Sequence, residues 1–126
     1  MKKILIIDDQ ALLRRLVFDA LTRSYPEASI SQAENGRQAI EMLGSNRYDL
    51  VICDVIMPEV NGFEVLRWLR EESSQADVPC VMLTGETRTE DIVNGWCLGA
   101  TSYVTKPFNV DTLLEAVEVH VTEAAA

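Results

Sequence analysis

Ile4-Leu5-Ile6-Ile7-Asp8-Asp9 is an apolar run that ends on two carboxylates. Three later stretches repeat the arrangement. Leu50-Val51-Ile52-Cys53 runs into Asp54, Cys80-Val81-Met82-Leu83 into Thr84, and Tyr103-Val104 toward Lys106-Pro107. Apolar runs of about four to eight residues bounded by turn signals read as strands buried on both faces of a parallel sheet. Open parallel sheets bind ligands in the crevice beyond the carboxyl ends of their strands. The carboxylates of Asp8, Asp9 and Asp54, the Thr84 hydroxyl and the Lys106 ammonium are therefore expected to share one site.

Composition narrows the classes. The 126 residues suffice for one domain with a sizeable core, and a 48% hydrophobic, 25% charged chain is an ordinary soluble globular one. A net charge of −9 argues against a nucleic-acid surface, which needs clustered Lys and Arg. No apolar stretch approaches the roughly 20 residues of a membrane span. Met1-Lys2-Lys3 and the run after it mimic the start of a signal peptide, but the run is too short and Asp8-Asp9 end it. The expectation is a cytoplasmic protein with neither a membrane nor a direct nucleic-acid partner. Cys53, Cys80 and Cys97 are odd in number and lack metal-ligand spacing, so all three are expected as reduced core residues.

Between the apolar runs lie helical patterns, and strict βα alternation predicts a parallel sheet with helices on both faces. Leu13, Leu16, Val17, Ala20 and Leu21 form one face of a first helix, closed by Pro26. Residues 28–33 alternate apolar and polar, as an edge strand does. Asn35-Gly36 opens a second helix with Ala39, Ile40 and Leu43 inward and Gly44 at its end. A third helix follows Asn61-Gly62 and buries Val65, Leu66 and Leu69; Gln75 to Asp77 is a polar loop. Ile92, Val93, Trp96 and Cys97 mark a fourth, stopped at Gly99. Asn109 caps a fifth carrying Leu113, Leu114, Val117 and Val121. The expected fold is a five-stranded, doubly wound, flavodoxin-like sheet of order 2-1-3-4-5. Its switch point falls where Asp8, Asp9 and Asp54 meet. Two unit charges about 4 Å apart interact by roughly 4 kcal/mol at an effective dielectric of 20, so the triad calls for a cation. Oxygen-only ligands with room for water suit Mg²⁺, with Mn²⁺ able to substitute.

Ile6-Ile7-Asp8-Asp9, Asp54-Val55-Ile56-Met57-Pro58, Asn61-Gly62, Leu83-Thr84-Gly85, Gly99-Ala100 and Lys106-Pro107-Phe108 together give the chain a family. It resembles the receiver domain of two-component response regulators over essentially its whole length, residues 1–126. The resemblance implies phosphorelay signalling, with Asp54 as acceptor of a phosphoryl group from a sensor histidine kinase or a histidine phosphotransfer protein. It implies metal ligation by Asp9, by Asp8 largely through water, by Asp54 and by the main-chain oxygen of Ile56. Lys106 would offset charge on the phosphoryl group, and Pro107 would follow a cis peptide bond that aims Lys106 inward. Thr84 and Tyr103 would form a switch that repacks the face made by the fourth helix, fifth strand and fifth helix. Ile56 and Glu86 would flank the phosphoryl group and tune its lifetime.

Other readings have less behind them. A haloacid dehalogenase-type phosphohydrolase wants a second Asp two residues after its nucleophile, and Ile56 stands there. A degenerate receiver that only binds partners conflicts with the complete set Asp8, Asp9, Asp54, Thr84 and Lys106. The expectation is thus a self-phosphorylating and self-dephosphorylating switch, not a turnover enzyme. It would act on a downstream protein target or on an output domain that this sequence does not contain. His120, the single histidine, is expected far from the site, Trp68 and Trp96 are expected to pack, and Arg14 and Arg15, beside the acidic pocket, to lie on a solvated helix face, with contact to a kinase partner as the alternative.

Overall fold

The computed structural model describes residues 2–85, 93 and 96–123. Five parallel strands form one sheet: β1 Lys3–Ile7, β2 Ser29–Ala33, β3 Leu50–Asp54, β4 Cys80–Thr84 and β5 Ser102–Thr105. Their spatial order is β2-β1-β3-β4-β5, as expected for the flavodoxin-like arrangement. Helices α1 Ala11–Ser24, α2 Gly36–Ser45 and α3 Gly62–Glu71 follow the first three strands, and a C-terminal helix spans Val110–Glu123. Of the expected fourth helix, Val93 and residues 96–98 are helical, while Ile92 lies outside the described residues.

Side-chain alternation along the strands builds two cores. Leu5, Ile7, Val51, Cys53, Cys80 and Met82 face α2 and α3, meeting Ala39, Leu43, Val65, Leu66 and Leu69. Ile4, Ile6, Leu50, Ile52, Val81, Leu83 and Val104 face α1 and the C-terminal helix, meeting Val17, Leu21, Leu113 and Val117. The three central strands bury nearly every residue, whereas β2 is mostly half-buried, as an edge position dictates. Burial of a Val, Leu or Ile side chain contributes about 1.5–3 kcal/mol, so these two layers hold the strand ends in place.

The caps match the sequence signals. Asn35, Asn61 and Asn109 each accept a hydrogen bond from a backbone N–H three residues on, at 2.8, 3.0 and 2.8 Å. Gly99 adopts φ 100°, a conformation that suits a residue without Cβ, and its carbonyl accepts from Arg70 Nε at 3.0 Å. The same guanidinium donates to the carbonyls of Ala76 and Val78 at 2.8 and 2.5 Å. It thereby ties α3 to the segments leading into β4 and β5.

Several local expectations need correction. Leu16 is 46% exposed, because the buried stripe of α1 runs through Val17, Ala20 and Leu21 and leaves its neighbour at the edge. Gly44 does not end α2, which continues to Ser45 and is capped by Asn46. Gln75 does lie in the expected loop, but it is buried there: its side chain accepts from the Tyr48 N–H and donates to the Leu43 and Asn46 carbonyls. Cys97 is exposed, unlike Cys53 and Cys80. Burial also pushes the Cys53 thiol well up and the Cys80 thiol to about 12, which suppresses their thiolates. Native protein treated with iodoacetamide is therefore expected to take up one label, at Cys97, and three after denaturation. Labelling of Cys53 or Cys80 under native conditions would contradict this packing.

Candidate functional site

Strand register assembles the site. Ile7 pairs with Cys53, Asp54 with Leu83, and Thr84 with Thr105, so the residues after β1, β3, β4 and β5 emerge at one level. Val55 N–H donates to the Leu83 carbonyl at 3.0 Å and Lys106 N–H to the Thr84 carbonyl at 2.7 Å, extending two ladders past the strand ends. Gly62 lets α3 start directly behind β3. A Cβ there would overlap the Asp54 carbonyl oxygen and lie 2.8 Å from Val55 Cα. Its N–H instead donates to the Val55 carbonyl at 2.8 Å.

The three carboxylates converge as expected: one oxygen each from Asp8, Asp9 and Asp54 lie within 4.8 Å of one another. Asp8 and Asp54 are buried and Asp9 is exposed, so the cluster opens to solvent on one side. Lys106 Nζ reaches Asp54 Oδ1 at 2.9 Å, and the Lys106–Pro107 peptide is cis. Thr84 is buried beside β3, one residue beyond the register partner of Asp54. Tyr103 is half-buried and meets the 48% exposed Trp96 edge-on, ring centroids 5.1 Å apart. Ile56 is 65% exposed at the rim, while Glu86 lies outside the described residues. His120 is buried on the C-terminal helix with its Nε2 3.4 Å from Ser102 Oγ, apart from the acidic cluster. Trp68 packs against the α2–α3 core.

Asp8 carries the electrostatic tension. Oδ1 accepts from the Gln10 N–H at 2.9 Å, but the buried Oδ2 has no hydrogen-bond partner. Burial, then the nearby Asp54 and Asp9 charges, push its carboxyl up to about 6 against the opposing pull of Gln10 and Lys106. An orphaned buried oxygen within reach of two further carboxylates is the donor set that a hard divalent cation takes, so the residues fit a metal.

Arg14 departs from the solvated helix face expected for it. It is half-buried, and it donates from Nη1 to the Asp8 main-chain oxygen at 2.7 Å and from Nε to Gln32 Oε1 at 3.2 Å. Arg15 behaves as expected, 72% exposed and paired with Asp19 one turn on. Bonds to a carbonyl six residues back and to a side chain eighteen residues on leave no periodic signature, which is why the pattern could not separate the two.

A carboxyl whose folded pKa is raised, here to about 6 from 3.8, binds its proton more tightly in the folded state. The stability it contributes is present at low pH and is lost as pH rises through about 6. Asp8→Asn keeps an acceptor for the Gln10 N–H and removes the charge. Without divalent cations, the Tm advantage of Asp8→Asn over wild type is expected to grow from near zero at acid pH to roughly 4 °C at neutral pH, about what 1 kcal/mol is worth here. An advantage independent of pH would contradict the strain assigned to Asp8.

Comparisons with known proteins agree with this fold. The chain is 33% identical over 116 residues to the chemotaxis protein CheY of Pseudomonas aeruginosa, covering 92% of this chain and 93% of that one. It is 36% identical over 114 residues to a Bacillus subtilis transcriptional regulatory protein, YkoG, covering 90% of this chain but 48% of the relative. It thus spans nearly all of one relative and about half of the other. The solved structure of the chemotaxis response regulator CheY4 of Vibrio cholerae superposes with a TM-score of 0.87 at 35% identity, covering 95% of this chain and 98% of that one. Among the described residues no helix is long and apolar enough to cross a membrane. Residues 4–118 match the response regulator receiver domain, and the chain belongs to that family of two-component signalling proteins.

Proposed function

We propose that this receiver takes a phosphoryl group onto Asp54 in a Mg²⁺-dependent step and passes the event to a partner-binding face. The observation that carries the reading is the 2.9 Å contact of Lys106 with Asp54 inside a cluster that leaves Asp8 Oδ2 unpartnered. Asp8, Asp9 and Asp54, with the Ile56 carbonyl, would hold the cation. Bound there, Mg²⁺ or Mn²⁺ would neutralise charge on the phosphoryl oxygens.

The chain's own residues do the rest. A carboxylate oxygen of Asp54 attacks phosphorus in a phosphohistidine or small phosphodonor. The new O–P bond forms as the bond to the leaving group breaks, and the departing imidazole or acyl oxygen keeps the electron pair. Lys106 then exchanges its contact with Asp54 for one with a phosphoryl oxygen. Positioning and charge stabilisation account for most of the catalysis in such transfers. The product carries about −1.5 to −2 charges and new acceptor oxygens. Thr84 donates to one of them, and Tyr103 repacks toward the space it leaves. Turning a two-state face from 1:99 to 99:1 requires about 5.5 kcal/mol of differential stabilisation, which bounds the response.

Ile56 offers no polar atom to align an attacking water, and Glu86 is the residue that would decide whether one is oriented. The donor would be a cytoplasmic sensor histidine kinase or phosphotransfer protein. The recipient would be a downstream protein or an output domain, since YkoG is about twice the length matched here. The protein catalyses its own modification and needs no turnover of a separate substrate.

Intact mass after incubation with acetyl phosphate tests the reading. Wild type with Mg²⁺ is expected to gain one phosphoryl group, and Asp54→Asn none. Uptake undiminished in Asp54→Asn would put the acceptor elsewhere. No uptake from acetyl phosphate, and no beryllofluoride binding, would favour a receiver that acts only as a binding module.

A further inference from the structure

Arg14 contacts neither Asp9 nor Asp54 through a hydrogen bond, yet it bonds the main chain of the turn that carries Asp8 and Asp9. Asp8 lies one residue past the last register pair of β1 with β2, Ile7 with Ala33. Its N–H still reaches the Ala33 carbonyl at 3.1 Å, but the ladder ends there. The Asp8 carbonyl, part of the peptide that joins Asp8 to Asp9, takes its hydrogen bond from Arg14 Nη1 at 2.7 Å. Arg14 is itself held by Gln32, on the edge strand, through Nε at 3.2 Å. The orientation of that one peptide sets where the Asp9 carboxylate stands relative to the buried Asp8.

We propose that Arg14, tethered by Gln32, is a positioning residue for the divalent-cation site: it fixes the Asp8–Asp9 peptide so that both carboxylates stay within reach of Asp54. The inference rests on the reading that Asp8, Asp9 and Asp54 hold the cation. Planarity makes arginine suited to the task, since one fork addresses two acceptors on different elements with little freedom left. Lysine at the same place would keep the charge and lose the second prong.

The sign of the effect separates positioning from charge. A guanidinium bonded to the Asp8 carbonyl opposes a cation at the neighbouring carboxylates, so an Arg14 acting through its charge would weaken metal binding, and its removal would tighten it. An Arg14 acting through geometry gives the opposite result. Contacts that orient metal ligands are typically worth about 10–100-fold in affinity. Gln32 is neutral and touches no carboxylate of the cluster, so only the positioning account gives it any influence on the metal.

Calorimetric titration of the full chain with MnCl₂ alone, without phosphodonor, at one pH, tests this. Arg14→Met, which keeps most of the aliphatic stem, is expected to weaken Mn²⁺ binding about tenfold. Gln32→Ala should weaken it in the same direction by less. The double variant should bind no more weakly than Arg14→Met, because both changes break one chain of contacts. Unchanged or tighter binding in Arg14→Met would overturn the proposal, as would silence of Gln32→Ala. Thermal melts without metal show whether each variant folds; were Arg14→Met unfolded, Gln32→Ala would still decide. A wild type that binds no Mn²⁺ would instead overturn the metal site itself, and this inference with it.

Discussion

Three carboxylates share the mouth of the sheet with one ammonium, and like charges about 4 Å apart at an effective dielectric near 20 repel by roughly 4 kcal/mol. Lys106 answers part of that repulsion through its 2.9 Å contact with Asp54. The rest stays on Asp8, whose buried oxygen has no partner and whose carboxyl is pushed up to about 6. A fold that gathers charge in this way gives up stability in exchange for chemistry. The remainder of the molecule consists of what is needed to hold the four strand ends against each other.

That work is divided between the hydrophobic layers and a few backbone devices. Two cores clamp the sheet from either side, so strand register fixes which residues emerge together. Gly62 brings the start of α3 against the Asp54 carbonyl, where any side chain would collide. Arg70 joins α3 to the segments before β4 and β5, and the half-buried Arg14 pins the turn after β1. Both arginines satisfy carbonyls that the ladders leave without a strand partner, the expected fate of backbone acceptors at the ends of secondary structure.

Most of the architecture was legible in the sequence because it rests on short-range signals. The apolar runs at Ile4, Leu50 and Cys80 have no alternation, as strands buried on both faces require, and the asparagines at 35, 61 and 109 cap the helices they precede. Convergence of Asp8, Asp9 and Asp54 followed from the strand order. What stayed hidden depends on three-dimensional partners. Leu16 sits at the margin of its helix stripe, Cys97 on a solvent-facing turn of helix, and Gln75 inside a loop that the fold happens to cover. Arg14 and Arg15 are adjacent and chemically identical, and only the rotation of α1 against the Asp8 turn distinguishes them.

A divalent cation held by Asp8, Asp9 and Asp54, as proposed, would relieve the charge imbalance of the cluster. The most direct measurement is a Mg²⁺ titration of ¹⁵N-labelled protein followed by amide shifts. Saturable shifts concentrated at Asp8, Asp9, Gln10, Asp54, Val55 and Ile56, with a rise in Tm, are the predicted result. Shifts absent or scattered over the surface acids, with an unchanged Tm, would contradict it.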